Sequence, residues 1–500
     1  MSTTLHNPVQ KPRILLLQPR FGEWERIEGE MLPLGLLHTA RAIPSDFAVQ
    51  ILDHRLHGAE WTSVLRRALD PPPLLVGLTA TIGTSIGDSL ASAAIVRQKC
   101  PQVPLVWGGV AASALPDVAL QDPLVDAVVD GPGEVTLPAI AQALLAGTPL
   151  AQVTGLFVRN ALGQVVSTGP RPPIDRPSLP PLPYHLLDMP RYLARYRGGG
   201  WLPLHTSFGC PCDCTFCYSP GLFGRRWRPD SAERVLGEVR EAIQRFGVRK
   251  FQFLDDNFFA DRRRAMAIVQ GLAPLGVQWM AHGLTILDAK RLSDVDIAQI
   301  IASGCIELGT GIESGSDRTL QRIHKGHTRA EVIAVNRRLG QHKLVVTYGM
   351  VAGFPGETAE DLSQTIDLAQ VLLRDNPLAD VKHILPLFPL PGSHLWQEAL
   401  DLGFVPPPTW RAWAGYEATT AQVPWLTERQ RRQLEGLFLC SVFMKPGKLQ
   451  HHGVGGLLPW LADTLYSPLA KWRIEHRYFD AMLELHIKRA VEKLVRLRVL

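Results

Sequence analysis

The sequence predicts an α/β protein: a doubly wound Rossmann-like domain, then a partial (β/α)6 barrel, then a mostly helical region. Three observations carry this. Short, nearly continuous apolar runs alternate with helical stretches over residues 13–147 and again over 201–400, and such runs are the mark of strands buried on both faces of a parallel sheet. Strand–helix alternation builds α/β folds. A proline-dense run, Pro170 to Pro183, separates the two series, and proline-rich chain is extended and semi-rigid. The expected boundaries are 1–150 for the first domain, 151–200 for a hairpin and linker, 201–400 for the barrel and 401–500 for a helical cap.

In the first series the expected strands are Arg13–Gln18, Val49–Asp53, Leu74–Thr79, Val103–Trp107 and Asp126–Asp130. Helices are expected at Leu34–Ile43, Trp61–Leu69 and Ser85–Gln98. Ligands of doubly wound sheets bind at the carboxyl ends of the strands. Those ends carry Gln18-Pro19, Asp53, Thr79-Ala80-Thr81, Gly108-Gly109 and Gly131-Pro132-Gly133-Glu134. In the second series the expected strands are Leu204–Phe208, Lys250–Asp255, Gln278–His282, Cys305–Thr310, Val345–Met350 and Val381–Leu387, with helices such as Ser231–Phe246 between them. Six strands with crossover helices suggest a barrel or an open part of one.

Composition narrows the function classes. The formal net charge is +5, from 52 basic and 47 acidic side chains among 500 residues. That excess is too small, and too scattered, to indicate nucleic acid. The first residues have no apolar signal core, and no stretch reaches the roughly 18 apolar residues of a membrane span. The expectation is a soluble cytoplasmic protein. Four of the seven cysteines lie between positions 210 and 217, a packing that favours metal or redox chemistry over a disulfide scaffold.

The cysteine run reads Ser207-Phe208-Gly209-Cys210-Pro211-Cys212-Asp213-Cys214-Thr215-Phe216-Cys217-Tyr218. It follows an apolar run and so belongs to a loop at a strand's carboxyl end. Three thiolates at this CxxxCxxC spacing can bind three irons of a [4Fe–4S] cubane, leaving the fourth iron open. A zinc cage of four cysteines is the structural alternative, although its ligands are normally split between two knuckles. Cys100, Cys305 and Cys440 read as ordinary buried thiols.

The spacing, with the aromatic before the third cysteine, resembles the radical S-adenosylmethionine (SAM) superfamily. The resemblance implies that Cys210, Cys214 and Cys217 hold the cluster and that SAM chelates the open iron. Cys212 departs from the pattern, because members usually have another residue there, and it leaves the identity of one thiolate open. Later segments fit the same resemblance over roughly residues 10–400. Leu254-Asp255-Asp256-Asn257-Phe258 resembles the DDxF run of members with an N-terminal cobalamin domain, and its carboxylates would accept hydrogen bonds from the SAM ammonium. Gly311-Ile312-Glu313-Ser314-Gly315 resembles the GIES element, in which Glu313 and Ser314 would contact the SAM ribose and methionyl group. Gly349 to Thr358, with Gly353, Pro355 and Gly356, resembles the glycine-rich strand end flanking the adenosine, where Phe216 would also face SAM. Read alone, an acidic pair is as readily a helix cap and a glycine run a turn.

The first domain resembles the cobalamin-binding domain that precedes the barrel in one large subclass. The matching residues are Pro33-Leu34-Gly35-Leu36-Leu37, Asp53, Thr79 to Thr81, Gly108-Gly109 and Gly131 to Glu134, with Gln18-Pro19 at the first strand end. A Rossmann-like domain binding something else is the alternative. Many cobalamin proteins carry Asp-x-His-x-x-Gly. Here Asp53 and Gly58 have that spacing but Arg55 stands where the histidine would be, flanked by His54 and His57. No histidine is therefore expected to ligate cobalt.

The last hundred residues contain Trp410, Trp413, Trp425, Trp460, Trp472, Tyr416 and Tyr466. They read either as a cap shaping an apolar pocket or as the core of a small helical domain. The basic, apolar-periodic end can lie on a membrane surface; a docked helix or an oligomer contact is the favoured reading. His451-His452 reads as surface.

The resemblance implies a cobalamin-dependent radical SAM methyltransferase that methylates an unactivated carbon through methylcobalamin and a 5′-deoxyadenosyl radical. Its cofactors would be a [4Fe–4S] cluster, SAM and cobalamin. Its partners would be a small-molecule, lipid or peptide substrate and an electron donor such as flavodoxin or ferredoxin. A non-methylating cyclase of the same architecture and a non-catalytic iron–sulfur or zinc regulator are the rivals. A methylthiotransferase would need three more cysteines in the first domain, where only Cys100 lies.

Overall fold

The structure, a computed structural model, describes residues 11–22, 29–174, 176–445 and 457–485. They form two compact units: Met1–Tyr196 with Pro406–Tyr416, and Arg197–Val405 with Glu417–Leu500.

The first unit is built on strands β1 (Arg13–Gln18), β2 (Ala48–Asp53), β3 (Leu75–Thr79), β4 (Leu105–Gly108), β5 (Ala127–Val129), β6 (Leu156–Arg159) and β7 (Val165–Ser167), in the order β2-β1-β3-β4-β5-β6-β7. The first five are parallel, and the β6–β7 hairpin adds antiparallel to β5. Ile14, Leu15, Val76 and Leu105 are fully buried, as expected of strands covered on both faces. The order reverses around β1, so the crevice of this sheet opens at the carboxyl ends of β1 and β3. Helices Leu34–Ala40, Trp61–Ala68 and Thr84–Lys99 cross between its strands.

Two expectations change here. The hairpin expected in the linker is part of the sheet. Residues beyond the proline run also return to this unit, where the helix Met189–Arg195 brings Tyr192 to donate to Asp53 Oδ2. Residues 406–416, expected in the helical cap, also belong to it. Trp410 and Trp413 are each 1% exposed, Trp410 meets Trp107 edge-on at 5.8 Å, and Arg411 pairs with Asp122 at 3.0 Å.

The second unit opens with β8 (Trp201–Leu204), followed by a short antiparallel pair, β9 (Ser207–Phe208) with β10 (Arg228–Pro229). Then come β11 (Lys250–Phe253), β12 (Gln278–Ala281), β13 (Cys305–Glu313), β14 (Val346–Ala352) and β15 (Ala379–Pro386). These five and β8 make a six-stranded parallel sheet in sequence order, with β8 and β15 as its edges. Helices Ala232–Phe246, Arg262–Leu272, Asp294–Ala302, Arg329–Gln341 and Ala359–Asp375 fill the crossovers. This is an open part of a (β/α) barrel.

The described residues from 417 onward cluster with this second unit. Helix Glu428–Val442 packs along β15, and Ser441 Oγ accepts the Ile384 N–H at 2.9 Å. Helix Leu457–Glu475 packs on that helix in turn. His451-His452, the side chain of Trp460 and the chain after residue 485 lie outside the described residues.

Candidate functional site

The cysteine loop runs from β9 to the short helix Ser219–Phe223, at the carboxyl end of the six-stranded sheet. Its entrance is Gly209 at φ 76°, where a Cβ would collide with Arg226 O, so only glycine fits. The two aspartates after β11 hold it. Asp255, 3% exposed, accepts from Thr206 N at 2.6 Å, from Ser207 Oγ at 2.8 Å and from Thr206 Oγ1. Asp256 Oδ2 accepts from Gly209 N at 3.1 Å and Ser219 Oγ at 3.2 Å, tying the two ends of the loop to one carboxylate. In the middle, Thr215 N donates to Ile323 O at 3.2 Å and Leu395 N to Thr215 O at 2.8 Å. Phe216 packs edge-on against Phe354 at 5.8 Å, over Leu320, Ile323, Leu387 and Leu395.

All four cysteines of the loop are free and half-buried. A hydrogen bond from the Cys212 thiol brings Cys210 down to about 7 and holds the Cys212 thiol well above its ordinary range. Burial pushes Cys214 up and Cys217 up to about 12. Among the described residues no three His, Cys, Asp or Glu side chains are placed to hold a single metal ion. A cubane asks for something different, one thiolate per iron at the wider spacing of separate irons. Three soft donors on one firmly held loop fit that group.

Glu313 ends β13 with φ 64°, just past a bulge in its pairing with β14. Its Oε1 accepts from Lys325 Nζ at 2.9 Å, with both side chains nearly buried, at 10% and 12% exposed. Lys325 also lies 5.7 Å from the Phe216 ring centre. It belongs to no motif singled out in the sequence; the only trace is a basic residue twelve positions after Glu313.

Ser314 is placed differently from the expectation. It is fully buried, shares a 3.0 Å hydrogen bond with Thr365 Oγ1, and accepts from Ser316 N at 3.1 Å. These bonds brace the strand end. Asp255 is likewise spent on Thr206 and Ser207, so of the acidic pair Asp256 is the more open.

Gly353, Pro355 and Gly356 form the turn after β14. Trp425 Nε1 donates to Gly353 O at 2.9 Å and Arg318 to Gly356 O at 2.7 Å. Glu357 Oε2 takes the Gly353 N–H, whereas its Oε1 is buried without a partner. Burial raises Glu357 to about 7 from an ordinary 4.5. A carboxyl whose folded pKa is raised lends stability at low pH, and that stability fades as pH climbs from about 4.5 through about 7. Glu357→Gln, which mimics the protonated form, should therefore be more stable than the wild type at pH 8 by up to about 3 kcal/mol. The two should converge at pH 4.5. Denaturant melts at the two pH values check this, and an equal difference at both would refute it.

In the first unit the expected residues gather at the strand ends. Gln18 ends β1 with Pro19 after it, Thr79 ends β3 with Ala80-Thr81 after it, Gly108 ends β4 with Gly109 after it, and Gly131 to Glu134 follow β5. Gly109 sits at φ 90°, where a Cβ would lie 2.6 Å from Ala80 O. Ser85 Oγ accepts from Thr81 N at 2.9 Å. Gly35 opens outward from the helix start, while Leu34 and Glu134 are buried. Asp53 is committed elsewhere: it pairs with Arg55 at 2.7 Å and accepts from Tyr192. His54, 6% exposed, contacts Asp88 Oδ2 through Nδ1 at 2.8 Å and stacks on Trp61 at 4.6 Å.

Residues 204–369 match the radical SAM superfamily, and residues 25–141 match the B12-binding domain. The chain is 29% identical, over 88% of its length and 95% of the relative's, to an uncharacterized methyltransferase of Pyrococcus horikoshii. It is 26% identical, over 73% of each chain, to the anaerobic magnesium-protoporphyrin IX monomethyl ester cyclase of a Synechocystis strain. Its fold is similar, with a TM-score of 0.64 over 79% of this chain and 76% of the other at 19% identity, to the radical SAM methyltransferase TsrM of Kitasatospora setae, solved with cobalamin and a [4Fe–4S] cluster bound.

Proposed function

We infer that this chain, which joins a B12-binding domain to a radical SAM domain, is a cobalamin-dependent methyltransferase acting on an unactivated carbon of a small-molecule, lipid or peptide substrate. The observation that carries the reading is the cysteine loop: three spaced thiols, fastened at both ends by one carboxylate, at the carboxyl end of an open parallel sheet. The relative that spans nearly the whole chain and is named a methyltransferase supports it.

When bound, the cluster and SAM supply a carbon-centred radical and cobalamin carries the methyl group. The protein's residues do the rest. Cys210, Cys214 and Cys217 would hold three irons. Phe216 and Phe354 wall the loop with apolar surface that excludes water. Glu313 offers its carboxylate, and the Gly353–Gly356 turn lets backbone come close to an adenosine. In the first unit, Thr79, Thr81, Gly108, Gly109 and Gly131 would present small groups and hydroxyls to a nucleotide tail, beside Gln18-Pro19 and the helix start at Leu34 and Gly35.

We place the enzyme in the cytoplasm, because four closely spaced free thiols suit a reducing compartment. There flavodoxin or ferredoxin would supply the electron. Among the described residues no helix is long and apolar enough to cross a membrane.

In the resemblance Arg55 stands where a cobalt-ligating histidine would be, and it is paired with Asp53. His57→Ala is therefore expected to leave the absorbance spectrum of bound cobalamin unchanged; a shifted spectrum would show that His57 reaches cobalt.

The function is tested anaerobically. The protein is reconstituted with iron, sulfide and cobalamin, then given a strong reductant and SAM. Methylated corrinoid with S-adenosylhomocysteine, before any substrate is added, supports methyl transfer. The cyclase relative keeps a second reading open, oxidative ring formation. Tight corrinoid binding with 5′-deoxyadenosine release and no methylation would favour it. A protein that neither binds nor cleaves SAM would be a regulator instead.

A further inference from the structure

The ion pair behind the cysteine loop has a use that the loop alone does not explain. Lys325 follows the helix Asp317–Arg322. His324 turns the chain at φ 54°, and Lys325 N closes the helix end on Leu320 O at 2.9 Å. This turn points the ammonium inward, to Glu313 Oε1 at 2.9 Å and to within 5.7 Å of the ring of Phe216, the residue next to Cys217. The same segment is bonded to the loop itself, through Thr215 N and Ile323 O. A side chain with three donors is thus held almost out of water against the cysteine loop.

We propose that Lys325 is a positioning residue that sets the charge around the cluster, raising its reduction potential, and that Glu313 moderates the effect. This rests on the reading that the cysteines hold a [4Fe–4S] cluster. One-electron reduction adds a negative charge to a group already anionic through its thiolates. A fixed cation nearby stabilises the reduced form, and net charge and burial are recognised determinants of cluster potentials. Charges screened by protein rather than water act strongly over several ångströms. Neighbouring His327 adds no second cation, since burial and Lys325 itself bring it down to about 4. Glu313 keeps the ammonium in place and offsets part of its charge.

Full-length wild type, Lys325→Gln, Lys325→Arg and Glu313→Gln are reconstituted and titrated anaerobically with a one-electron reductant. The reduced cluster is followed by electron paramagnetic resonance, with iron and sulfide assayed in parallel. The expected result is a more negative midpoint for Lys325→Gln, a near-wild-type midpoint for Lys325→Arg, and a more positive one for Glu313→Gln, whose amide oxygen still accepts from the ammonium. Lys325→Gln with a full cluster and an unmoved midpoint overturns the proposal. Should Lys325→Gln fail to fold or to hold iron, Glu313→Gln decides: an unmoved midpoint there overturns it equally. A wild type that takes up no cluster overturns the cluster reading instead, so the two failures are told apart.

Discussion

Alanine at Cys210, Cys214 or Cys217, one at a time, is expected to abolish the cluster, while alanine at Cys212 leaves it. Each of the three thiols is an iron's only protein ligand in the proposed arrangement, and a cubane with one site missing is lost to solvent. Bound iron should fall to background, and SAM cleavage should fall by roughly a thousandfold or more. The fold should survive, because the loop is held by Asp256, Thr215 and Phe216 rather than by sulfur. The thiol contact between Cys210 and Cys212 makes the fourth variant informative. If Cys212→Ala loses iron and Cys210→Ala keeps it, the ligand set is Cys212, Cys214 and Cys217, and the assignment of Cys210 is wrong. Iron assay and visible absorbance of the four anaerobically reconstituted variants decide it.

The second large effect is on stability. Asp255→Ala removes the acceptor of Thr206 N, Thr206 Oγ1 and Ser207 Oγ, in residues 1% exposed. Buried donors left without partners carry their full desolvation cost. Arg264, whose guanidinium donates to Thr206 O and Thr206 Oγ1, also loses the negative charge it faces. The expected loss is about 3 kcal/mol, a fall in melting temperature of roughly 6–12 °C. Asp255→Asn, with one acceptor oxygen left, should lose less. Asp256→Ala frees only Gly209 N and Ser219 Oγ, so it should melt close to wild type yet hold iron poorly. Thermal melts with iron assays on the three proteins test the division of labour, and an unshifted Asp255→Ala would show that the aspartate is not structural.

The strands and the cysteine loop were legible because their signals are local: apolar runs for the one, thiol spacing for the other. What stayed hidden depends on distant partners. An apolar-run reading puts the first barrel strand at Leu204–Phe208, but pairing ends at Leu204, because Asp255, far along the chain, takes the Thr206 N–H away from the ladder. The expected strand stops at Thr310, yet β13 runs on to Glu313. The bond between Ser314 and Thr365, 51 positions apart, has no local signal either. Trp410 and Arg411 read as part of a C-terminal cap, whereas their partners are Trp107 and Asp122. Lys325 had no motif to announce it, since its meaning comes from Glu313 and the loop it faces.

The sheet of the second unit never closes on itself, and β15 is left as an edge. Such edges recruit copies of themselves. Helix Glu428–Val442 lies along that strand, and one hydroxyl, Ser441, takes up the Ile384 N–H. The last part of the chain therefore works as insulation against self-association. A chain cut at residue 416 would keep every cysteine of the loop, every strand of the barrel and the Trp410–Trp413 segment of the first unit, and still be expected to precipitate, because its final strand would be a template. An incomplete barrel carries its own stopper, and solubility and chemistry are written in different stretches of the same sequence.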